Sequence, residues 1–103
     1  MAAYLIVRAV VPEADRAKFD QWYQDVHLPA ALAAFDAVSA WRGWSQDDPG
    51  VHFAFYEFSR LAKAAAIGDS EAMKNMRTDF DRNWQNRIPR SREIVEIAQN
   101  VQA

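Results

Sequence analysis

The stretch at residues 19–44, FDQWYQDVHLPAALAAFDAVSAWRGW, constrains the fold more than any other part of the chain. Phe19, Trp22, Tyr23 and Val26 recur at helical spacing and so share one face. Pro29 has no N–H and disfavours the helical conformation in Leu28, so a break is expected at the His-Leu-Pro step. Residues 30–35 resume as a short apolar helical turn. Residues 37–46 read as a strand with Trp41 on one side and Arg42 and Trp44 on the other.

The flanks supply the remaining elements. Residues 4–11 form an aliphatic, β-branched run ending at Pro12, which reads as a first strand. Both alternating sets in it are apolar apart from Arg8, the pattern of a strand covered on both sides. Pro12, Glu13 and Asp15 suit a helix start. Asp47-Asp48-Pro49-Gly50 is a turn, so residues 51–58 (VHFAFYEF) pair with the preceding strand as a hairpin. An Ala-rich helix is expected over 60–67, closed by Gly68. A second begins at a cap on Asp69 or Ser70 and carries the stripe Met73, Met76, Phe80 and Trp84. Ile88-Pro89 stops it, and residues 92–101 alternate as a last strand.

The resulting order, β-α-β-β-α-β, is the ferredoxin-like α+β arrangement: a four-stranded antiparallel sheet with helices on one face. At 103 residues it forms one domain spanning 1–103. Two helices cover one face, yet the first three strands are apolar on both. The uncovered face would expose more aromatic surface than a monomer usually shows, and a homodimer joined through that face buries it. Each large aromatic buried at about 25 cal/mol per Å2 contributes a few kcal/mol.

Charge and composition exclude other classes. A net charge of −2 and a pI near 5.6 supply no field for nucleic acid or an anionic membrane surface. With no cysteine there is no disulfide framework, thiolate zinc site or cysteine nucleophile. The apolar N-terminal run is interrupted by Arg8 and is too short to span a membrane, and it makes a poor signal peptide, so a cytoplasmic address is expected. No phosphate loop, nucleophile elbow or dinucleotide fingerprint is present, and no cofactor is expected.

Six residues are candidates for a site. His27, read as lying in the last helical turn before the break, is the candidate acid–base group. There the helix dipole favours imidazolium and raises its pKa. The alternative is a cap on that helix end. Tyr23, four residues earlier, faces the same side and forms a candidate catalytic couple with His27, against the alternative of a packed core tyrosine. Trp22, Trp44, His52 and Tyr56 are candidate substrate-binding residues. His52 and Tyr56 share a face of the third strand, with small Ala54 between them leaving room. His52 otherwise sits at the exposed end of the hairpin. Two histidines without acidic partners at ligand spacing make a metal site weak, and none is expected. Arg8 and Arg42 offer charge for a carboxylate or phenolate, with Glu57 as an alternative cross-strand partner for Arg8. Arg77, Arg82, Arg87, Arg90 and Arg92, interleaved with acids, read as a solvated face.

The motif FDQWYQDVHLP, followed by a short apolar helix and a strand, resembles the dimeric α/β-barrel superfamily, and within it EthD-like and similar small proteins. The matching residues are Phe19, Trp22, Tyr23, His27, Leu28 and Pro29. The resemblance implies a sheet-to-sheet homodimer with a cavity between each sheet and its helices. It also implies a range of activities that includes cofactor-free monooxygenases, isomerases, dehydratases and haem-binding peroxidases. No histidine lies in the segment just before the last helix, where the resemblance would place a haem ligand.

Two functions follow as expectations. One is a metal-free enzyme of oxygenase, isomerase or cyclase type acting on an aromatic or polyketide-like compound. The other is a non-catalytic, ligand-binding or accessory dimer. RNA binding, which the same topology supports elsewhere, is opposed by the acidic pI and the lack of a basic–aromatic motif.

Overall fold

A computed structural model describes all 103 residues. The chain forms β1 (Ala3–Val10), a 3-10 turn (Glu13–Asp15), α1 (Arg16–Trp22), a π turn (Tyr23–His27) and α2 (Leu28–Phe35). It continues through β2 (Ser39–Trp44), β3 (Val51–Phe58), α3 (Leu61–Gly68), α4 (Glu71–Trp84) and β4 (Arg90–Glu96). The four strands form one antiparallel sheet in the order β2-β3-β1-β4, the ferredoxin-like α+β topology. No helix is long and apolar enough to cross a membrane.

The register sorts the side chains onto two faces. Leu5 pairs with Tyr56, Val7 with Ala54 and Ala9 with His52, and this face lies under the helices. Its core takes in Phe19 and Tyr23 from the first helical segment, Phe35 from α2, and Met73, Phe80 and Trp84 from α4. Ser70 caps α4 by accepting from the Met73 N–H at 3.1 Å, which satisfies an otherwise orphaned donor.

The other face carries Tyr4, Ile6, Trp41, Phe53 and Phe55, and no helix covers it. Trp41 stacks on Phe55 at 5.6 Å, Tyr4 meets Trp41 edge-on at 5.2 Å, and Phe53 stacks on Phe55 at 6.2 Å. Trp41 remains 42% exposed and Val95 38% exposed. Arg8 also lies on this face, and its partner is Asp48 at 3.5 Å rather than Glu57, which instead accepts from the Tyr4 hydroxyl.

The helix does not break at the proline. His27 and Leu28 keep right-handed helical dihedrals, and the Leu28 N–H bonds five residues back to the Tyr23 carbonyl. A widened π turn moves the carbonyl at i−4 clear of the proline ring and accommodates the missing N–H. The shift of register turns Val26 outward, 50% exposed, and His27 inward, 6% exposed.

Two further boundaries differ from expectation. α4 ends at Trp84, because Gln85 and Asn86 adopt left-handed conformations before Pro89 is reached. β4 begins two residues earlier and ends five earlier than alternation suggests. Its extent follows β1, from Ala9 opposite Arg90 to Ala3 opposite Glu96. Gly50 closes the β2–β3 turn at φ 86°, and a Cβ there would strike the Arg16 guanidinium that donates to the Val11 carbonyl at 3.1 Å.

Candidate functional site

A cavity of about 250 Å3 opens between the sheet and the helices. Val7 and Tyr56 rise from the sheet, and Tyr23 and His27 come from the π turn. Phe35 closes one side, while Met73, Met76 and Phe80 on α4 form an apolar wall. Arg77 from α4 and Arg90, Ser91 and Arg92 from β4 complete the lining. The spacing on α4 explains its share, since residues 73, 76, 77 and 80 recur on one helical face.

Of the six candidates, the structure brings three to this cavity: Tyr23, His27 and Tyr56. Trp22 stands behind His27, stacked on it with ring centroids 4.5 Å apart. His52 and Trp44 lie beyond the cavity wall in a separate cluster, where His52 packs against Phe19, Tyr23 and Trp44 at 5.0, 4.5 and 4.9 Å. His52 is 1% exposed, so the reading of an exposed hairpin-end histidine does not hold. Trp44 and Arg42 both donate to Asp20 Oδ1 at 2.8 Å, and these bonds, with the Arg42 charge, hold the Asp20 carboxyl below its usual range. Arg42 Nη1 also lies 3.3 Å from His52 Nε2. Guanidinium only donates, so Nε2 is placed to accept, while His52 Nδ1 is buried with no hydrogen-bond partner.

Burial corrects the expectation for His27. It is not a helix-end residue favouring imidazolium, because the helix continues past it into α2. Desolvation lowers its pKa to about 4, against an opposing pull from Asp79 and with help from Arg90. Its Nδ1 is buried with no hydrogen-bond partner, so no capping bond is made there. His52 is lowered to about 4 as well, first by burial and then by the Arg42 charge.

Both phenols stay protonated at neutral pH. Burial pushes Tyr23 up to about 12, opposed by the facing Tyr56 hydroxyl and by Arg90 and Arg42. Tyr56 is raised well above its ordinary value by burial and by Tyr23. The cavity floor therefore presents a neutral imidazole beside two phenol hydroxyls, an acceptor adjoining donors.

Sequence reasoning missed Arg77, Arg90 and Arg92. Arg90 and Arg92 share the helix-side face of β4, and placing the strand start at residue 92 hides that relationship. Arg77 is flanked at i−4 and i+3 by Met73 and Phe80, so the apolar stripe itself points to it. No group of three His, Asp or Glu side chains converges in a metal-ligating arrangement.

The fold, a ferredoxin-like α+β sheet with helices on one face, is shared with solved EthD-family and monooxygenase-type structures. No family model and no curated relative matches the chain. Among solved structures, an EthD-family protein from Bacillus halodurans superposes with a TM-score of 0.73. It is 16% identical, over 94% of this chain and 99% of that one. SnoaB, a cofactor-independent oxygenase from Streptomyces nogalater, superposes with a TM-score of 0.66 at 10% identity, over 99% and 98% of the two chains. A candidate antibiotic biosynthesis monooxygenase from Deinococcus radiodurans gives 0.70 at 8% identity, over 98% and 97%.

Proposed function

We propose that the protein is a homodimeric small-molecule enzyme that takes an aromatic or polyketide-like compound into the cavity between sheet and helices. His27 removes a proton from the bound compound, and Tyr23 donates a hydrogen bond to the oxygen on which negative charge develops. Proton removal next to a carbonyl or on an enol opens isomerase, cyclase and cofactor-independent oxygenase reactions alike, and it needs neither metal nor cofactor in this site. The observation that carries the reading is the neutral His27 at the cavity wall beside two protonated tyrosines. A base whose pKa lies near 4 is weak, so the reaction relies on the developing oxyanion to stabilise the imidazolium at this buried position. Trp22 braces the imidazole; His52 and Trp44 act from behind the wall by supporting Tyr23. The oxygenase function of SnoaB, on the same fold, agrees with this class of chemistry.

The dimer forms through the uncovered sheet face, where Trp41, Phe55, Phe53 and Tyr4 make one aromatic surface. A two-fold pairing lets each copy cover the other's patch.

The test is deuterium exchange at C1 of 2-tetralone, a bicyclic ketone with an acidic C–H, followed by proton NMR. Wild type accelerates exchange and His27→Ala loses the acceleration. Equal rates for the two proteins sink the catalytic role. The low basicity of His27 favours a second reading, a dimer that binds such a compound and releases it unchanged. Tetralone bound without exchange selects that reading.

A further inference from the structure

We infer that the mouth of this cavity is built to hold a carboxylate, so that its ligand is an aromatic acid; the inference rests on the reading of the cavity as an aromatic-binding site. The lining contains three guanidinium groups and no carboxylate. Arg90 is already engaged: Asp81 accepts from it at 2.8 Å, and its guanidinium lies 3.8 Å over the Phe80 ring. Arg77 and Arg92 have no acidic partner within ion-pair distance. Arg92 makes one neutral bond, to the Gly68 carbonyl at 3.1 Å, and keeps its other donors free.

These two cations reach the cavity from different elements, Arg77 from α4 and Arg92 from β4. Together they leave the mouth with two uncompensated positive charges on a chain whose net charge is −2. The planar donor fork of arginine matches a carboxylate in two-point geometry. Below them Phe80, Met76 and Phe35 offer apolar walls for a ring system, with His27 and the tyrosines at the floor. A volume of about 250 Å3 lies just below the range of drug-sized pockets, so the aromatic body is small. In this orientation the acid group stays at the rim and the opposite end of the molecule meets His27.

The test compares 2-naphthoate with its methyl ester by isothermal titration calorimetry on the full chain. Wild type binds the acid more tightly than the ester. Arg77→Gln and Arg92→Gln each weaken the acid about ten-fold, the effect expected for losing a charge-assisted hydrogen bond, and leave the ester unchanged. Added salt weakens the acid alone. Arg77 bonds to nothing else in the fold, so Arg77→Gln carries the test even if losing the Gly68 contact unfolds Arg92→Gln. Equal affinity for acid and ester, or equal weakening of both by the variants, overturns the inference and leaves the aromatic cavity standing. Binding of neither compound overturns both.

Discussion

The Trp22 indole lies nearly parallel to the His27 imidazole, with ring centroids 4.5 Å and planes 19° apart. Residues five apart in an α-helix point about 140° away from each other, at about 100° per residue, and cannot stack. The π turn over Tyr23–His27 absorbs one residue and narrows that gap to about 40°, the offset of residues four apart in an α-helix. One helical irregularity thus fixes the orientation of the proposed base.

The two histidines set an acid limit on stability. Both are held near pKa 4 in the folded protein, below the ordinary value of 6.5. Between these values the unfolded chain binds more protons than the folded one, so stability falls as pH drops from about 6.5 toward 4. At about 1.4 kcal/mol per unit, the combined loss is on the order of a few kcal/mol. Urea midpoints at about pH 7 and about pH 5 measure it, and His52→Gln reduces the difference. Imidazole carbon shifts titrating near 6.5 would refute the neutral pair.

Tyr23→Phe keeps the ring and removes the hydroxyl that faces Tyr56. Thermal stability is expected to change by about 1 kcal/mol or less, while 2-tetralone exchange drops about ten-fold or more. An unchanged exchange rate removes Tyr23 from the reaction and leaves it a packing residue.

Asp20→Asn loosens the tie between α1 and β2. The carboxylate accepts from Arg42 and Trp44 but is about half exposed, so the cost is about 1 kcal/mol. Urea unfolding reads it. A midpoint equal to wild type shows that solvent replaces both bonds.

Trp41→Lys places a charge in the uncovered aromatic face. Multi-angle light scattering at micromolar concentration is expected to give the mass of two chains for wild type and of one for the variant. A wild-type monomer rejects the sheet-face dimer.

Much of this fold is legible in the chain. The turn at residues 47–50 and the alternation of VHFAFYEF place β3 without error, and the Ser70 cap and Met73–Trp84 stripe place α4 closely. These signals are local, set by turn chemistry and by which faces are apolar. The limits of β4 are not local, because they depend on how far β1 extends beside it. The His27 environment escapes a sequence reading for a related reason. Proline rules describe an α-helix and give no sign that a wider turn will carry the chain past Pro29 and turn the imidazole into the core. Spacing brings Tyr23, His27 and Tyr56 to one cavity, whereas the arginines that line it are hidden in a run interleaved with acids, of which Asp81 pairs with Arg90.

A π turn is equivalent to one residue inserted into an α-helix. Deleting one residue between Tyr23 and Leu28 would restore a regular α-helix with Trp22 and His27 four residues apart and on one face, whereas drawing the full-length segment into α geometry would rotate α1 by about 100° against α2. In the second case Phe19 would leave the core and Trp22 would leave His27. The extra residue thus lets the chain pass Pro29 while the packing faces of α1 and α2 stay aligned.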